Sequence, residues 1–120
     1  MTISQRGTVD GPDRPIMCDV VCTGRFYDFV VRREGDWKLL HRQPIYEKDR
    51  IDPVDPGVRL ALDAATLAAL PEGYRHFAYI QKRIGHNIKM DMPMLKGPGV
   101  EALYRRGANW LAGGALGSGA

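Results

Sequence analysis

The sequence predicts an α+β fold, an antiparallel sheet with helices packed on it, from three observations. Ile16 to Asp49 is dense in β-branched and aromatic residues on either side of Glu34-Gly35-Asp36, the pattern of a long β-hairpin. Asp52-Pro53-Val54-Asp55-Pro56-Gly57 then ends strand pairing, because proline lacks a ladder donor and restricts the residue before it. Beyond it, apolar residues recur at helical rather than alternating spacing.

In chain order, residues 1–15 are rich in Gly, Pro, Asp, Ser and Thr and read as a flexible arm, with at most a short strand near Thr8-Val9. The hairpin, 16–49, follows, and Gly35 suits the left-handed conformation of a short loop with a bulge. Three short helices are expected in an extension over 58–112. The first is capped by Asp63 and stopped by Pro71-Glu72-Gly73; the second runs from Tyr74 to Ile84 and stops at Gly85. The third runs from about Val100 to Leu111, with Leu103, Tyr104, Ala108 and Leu111 facing inward. His86 to Gly99, with Met90, Met92 and Met94, reads as an apolar loop packed on something, and 113–120 as a flexible tail. Residues 16–112 thus form a single domain.

Composition narrows the function classes. A net charge of +3 with scattered arginines is too little to argue for nucleic acid, and no apolar run reaches the roughly 20 residues that span a bilayer. The first residues lack the apolar region of a secretory signal. Cys18 and Cys22, four apart on one strand, are about 13 Å apart, too far for a disulfide, so a cytoplasmic location is expected. No phosphate loop, nucleophile elbow or nucleotide fingerprint occurs, and His76 and His86 lack further ligands at metal spacing. No cofactor and no metal are expected.

The hairpin has apolar groups on both faces: Met17, Val21, Tyr27, Phe29 and Val31 on one, Ile16, Val20, Phe26 and Val30 on the other. A two-stranded ribbon is marginal in water, so both faces need cover. A homo-oligomer or a larger partner subunit completing the sheet would supply it.

The run Gly24-Arg25-Phe26-Tyr27-Asp28-Phe29-Val30-Val31-Arg32 through Trp37-Lys38-Leu39-Leu40-His41-Arg42 resembles the closing strands of SnoaL-like proteins of the nuclear transport factor 2-like superfamily. That resemblance implies a curved antiparallel sheet forming a cone-shaped pocket, here without the usual N-terminal helices and first strands. It implies a pocket for a small hydrophobic molecule and, in an enzyme, cofactor-free isomerisation, dehydration or cyclisation; the alternative is a non-catalytic binding or assembly subunit.

Candidate site residues follow. By the resemblance, Arg42 matches an arginine that stabilises departing negative charge in the dehydrochlorinase branch; the plainer alternative is a rim arginine paired with a carboxylate on the next strand. If Arg32 pairs with Trp37, Asp28 falls opposite His41, where carboxylate and imidazole could form a general base. The alternative is an exposed polar pair. Tyr27, Tyr46 and Trp37 are the expected substrate contacts, although such tyrosines are often half-buried strand residues with a wet tip.

Overall fold

The computed structural model describes residues 1–116. It is a mixed α+β domain: a three-stranded antiparallel sheet in the order β1-β2-β3 with helices packed against it. The strands are β1 (Thr2–Val9), β2 (Ile16–Arg33) and β3 (Asp36–Pro53). The helices are α1 (Ala64–Ala68), α2 (Arg75–Arg83), entered through a 3₁₀ turn at Glu72–Tyr74, and α3 (Pro98–Leu111).

The N-terminal stretch corrects its expectation. Residues 2–9 are no flexible arm but a full strand, paired from Thr2 opposite Thr23 to Val9 opposite Ile16. Its own apolar residues are sparse; pairing with β2, burial of Val9 and the Arg6–Asp19 ion pair hold it.

The hairpin is longer than its densest residues, and β3 runs on until Pro53. Its two-residue turn, Glu34 at φ 53° and Gly35 at φ 83°, has the successive positive φ values that match the strands' right-handed twist. The irregularities lie further down. Glu47 and Leu40 are extra residues on β3, where the register slips between Thr23 and Gly24 and between Phe29 and Val30 of β2.

β2 carries no extra residue, so its alternation reports the faces. Cys18, Val20 and Cys22 are buried on one face, whereas Phe29, on the other face, is buried near the hairpin tip. The helices therefore cover opposite faces at opposite ends. Ile80 of α2 packs with Val9, Cys18 and Val20, while Val100 and Leu103 of α3 pack with Phe29 and Ile45. Between them the chain passes the edge of β3, where the backbone N–H of Tyr46 donates to Pro93 O at 2.9 Å. Both apolar faces find cover, but each over half its length only.

The helix expectations hold for Asp63, which accepts from the Thr66 N–H at 2.9 Å, and for Gly85, at φ 92° just past α2. The inward stripe of α3 differs. It is Val100, Leu103, Gly107 and Trp110, while Tyr104, Ala108 and Leu111 are exposed. Gly107 takes the inward position because Tyr27 occupies the space where its side chain would lie.

Candidate functional site

An open cavity of about 380 Å³ lies between α2 and the segment 86–92, with Tyr46 of β3 at its base. Each element contributes by its own periodicity. α2 presents Phe77, Ala78 and Gln81 at helical spacing, and β3 turns Tyr46 to this face beside the Glu47 bulge. The Tyr46 and Tyr74 rings meet at 5.0 Å between centroids. The Tyr74 hydroxyl donates to Lys89 O at 2.7 Å and accepts from the Met92 N–H at 3.2 Å, tying the outer segment to the turn before α2. Burial pushes both tyrosine hydroxyls above their ordinary pKa. The wall is apolar through Ile88, Met92 and Phe77, and Gln81, His86, Asn87 and Lys89 add polar groups. Such a surface suits a small apolar molecule carrying a polar group.

The expected site residues are dispersed. Tyr46 lines this cavity. Trp37 is 68% exposed at the hairpin tip, and Tyr27 packs under α3 against Phe29 and Tyr104. Asp28 does not pair with His41. Although Arg32 does sit opposite Trp37, the extra Leu40 moves the register by one, so Asp28 faces Arg42 and His41 faces Phe29. Asp28 and His41 consequently lie on opposite faces.

Arg42 has the arrangement of the plainer alternative. Its Nε and Nη2 donate to the two Asp28 oxygens at 2.8 and 2.9 Å, and the guanidinium lies 4.3 Å over the Phe26 ring. The hydrogen bonds from Arg42 hold the Asp28 carboxyl below its ordinary pKa and raise that of Arg42. His41 points under α3 beside Phe29, and its buried Nε2 has no hydrogen-bond partner among the described residues.

A carboxylate–imidazole pair does exist elsewhere. Asp49, its side chain 1% exposed, lies 2.9 Å from His76 Nδ1 and accepts the Phe77 N–H at 2.7 Å. It thereby caps the start of α2 from a neighbouring strand. Nothing in local spacing announces this pair, since 27 residues separate its members; only docking of α2 on β3 brings them together. Beneath it, burial pushes the Cys22 thiol up to about 11, and Asp49 adds to the shift. Cys18 and Cys22 are both free and buried. Among the described residues, no three His, Cys, Asp or Glu side chains gather where they could hold a metal ion, and no helix is long and apolar enough to cross a membrane.

No protein-family model matches the chain. It is similar to an uncharacterized protein of Emericella nidulans, 33% identical over 125 residues that cover 93% of this chain and 51% of that protein. A PEP2-like protein of Fusarium vanettenii is 33% identical over 119 residues, covering 92% and 49%. Pea pathogenicity protein 2 of the same fungus is 33% identical over 93 residues, covering 77% and 38%. The chain spans about half the length of the first two of these relatives.

Proposed function

We propose that this chain is a SnoaL-like binding module that takes a small hydrophobic molecule into the cavity between α2 and residues 86–92. The observation carrying the reading is the wall itself: Tyr46, Tyr74, Phe77, Ile88 and Met92 around about 380 Å³, with polar groups beside them. Long strands with two bulges on β3 support the curved sheet of that superfamily, because a bulge bends the strand that bears it. Unpaired, buried Cys18 and Cys22 suit a reducing compartment such as the cytoplasm.

Binding without catalysis fits the geometry better than turnover by the expected trio. His41, Asp28 and Arg42 stand off the cavity wall, and the Arg42 guanidinium is already engaged by Asp28. Cofactor-free proton transfer by these three together is disfavoured further because His41 lies on the face under α3 and Asp28 and Arg42 on the other. An assembly role is the second reading, favoured by β1, whose outer edge pairs with no further strand among the described residues.

Titration with the apolar fluorophore 1-anilinonaphthalene-8-sulfonate tests the first reading. One saturable site is expected, weakened at least tenfold by Met92→Trp, which fills the cavity from the outer segment, with the circular dichroism unchanged. Equal affinity in the variant would sink the cavity as the binding site.

A further inference from the structure

We infer that the bare face at the tip of the hairpin is a self-association surface on which a second copy of this chain stacks. The inference is independent of the cavity, which lies towards the other end of the ribbon. On the face that α3 leaves uncovered, β2 presents Phe26, Asp28, Val30 and Arg32, and β3 sets Pro44, Arg42, Leu39 and Trp37 directly opposite them. The bulge residue Leu40, which has no partner on β2, follows Leu39 in the chain. Phe26, Val30, Trp37, Leu39 and Leu40 are all exposed, Trp37 to 68% and Leu39 to 53%.

Their exposed parts sum to on the order of 500 Å², with the Asp28–Arg42 pair lying between Phe26 and the others, at the upper end of what a lone soluble chain displays. Two such faces together would bury on the order of 1,000 Å² before any polar rim is counted, which is where specific interfaces begin. Tryptophan and arginine, both in this patch, are also among the residues that dominate interface energies.

Charge selects a copy of the same chain over a strongly charged partner. The whole chain carries +3, yet this face balances Asp28 against Arg42 at its centre, and Arg32 lies next to Glu34 of the turn, while Arg33, Asp36 and Lys38 belong to the other face. A two-fold stack can set Arg32 of one copy against Glu34 of the other, and the Asp28–Arg42 pair of each against that of its mate. A strongly acidic or basic partner would meet like charge in either case.

Sedimentation equilibrium on the full chain from about 1 to 100 µM tests this directly. A reversible monomer–dimer equilibrium is expected. Val30→Lys with Leu39→Lys on the tip, both at exposed positions, should weaken it at least a hundredfold with the circular dichroism unchanged. Ile84→Lys, exposed just past α2 on the other half of the ribbon, should leave the equilibrium as it was. A wild-type chain that stays monomeric across the range overturns the inference. So does a dimer indifferent to the tip variants, or a monomer that instead binds neutral phosphatidylcholine vesicles through Trp37.

Discussion

Gly107 is the residue on which the seating of α3 turns. A Cβ there would collide with the Tyr27 hydroxyl, so helix and strand approach only because that position lacks a side chain. Gly107→Ala is expected to cost roughly 1–3 kcal/mol despite the better helix propensity of alanine. Chemical denaturation measures it, and the cost should shrink in a Tyr27→Ala background, since the two side chains compete for one space. Asp28 gives the acid-side expectation. Its folded pKa is depressed by Arg42, so the stability it contributes is present above its unfolded value, about 3.9, and is lost as pH falls through the folded value. The Arg42→Ala variant should therefore lose less stability between pH 5 and 2 than the wild type, as read by denaturant midpoints. At the opposite extreme, the Cys22 thiol at about 11 and the burial of both cysteines predict no labelling by a thiol reagent at pH 8 until the chain unfolds. Prompt labelling of the native protein would refute that burial.

Among the elements, those with strong local signals were legible and those held by their neighbours were not. The hairpin declared itself through Val30, Val31 and Phe29 on one side of Gly35 and Trp37 and Leu39 on the other. α1 declared itself through the Asp63 cap, and α2 through the stop at Gly85. β1 did not, because Thr2–Val9 has few apolar residues and takes its stability from the already apolar edge of β2. The α3 stripe was displaced for a related reason: a glycine facing inward leaves no hydrophobic mark in a periodicity. The site suffered most, since one extra residue at Leu40 decides who faces Asp28, and composition carries no trace of it. The elements also differ in what anchors them. Leu103→Ala, buried against Phe29, is expected to cost about 2–4 kcal/mol and to free α3 from the ribbon. Ile80→Ala should do the same to α2 against Val9 and Val20. Denaturation curves with Trp110 fluorescence should move far more for the first than for the second if the two seats are separable.

The molecule as a whole is long for its size: 59 Å in its greatest extent, with a radius of gyration of 17.9 Å against about 13.5 Å for a compact chain of this length. The packing of α2 with Cys18 and Val20 and that of α3 with Phe29 and Ile45 share the two long strands but sit on opposite faces. Hydrogen exchange is expected to resolve two units, with amides of α3 opening at lower free energy than those of β2 beneath α2. A single exchange energy throughout would show that the strands bind both ends into one cooperative body. The uninterrupted alternation of β2 carries a last implication. Adding one amino acid between Arg25 and Phe26 would invert every side chain nearer the tip while leaving those below untouched. Phe29 would swing to the side already held by α2, and both helices would have to compete for the same side of the ribbon. Parity along a single strand, rather than any bond between them, is what keeps the two helices apart.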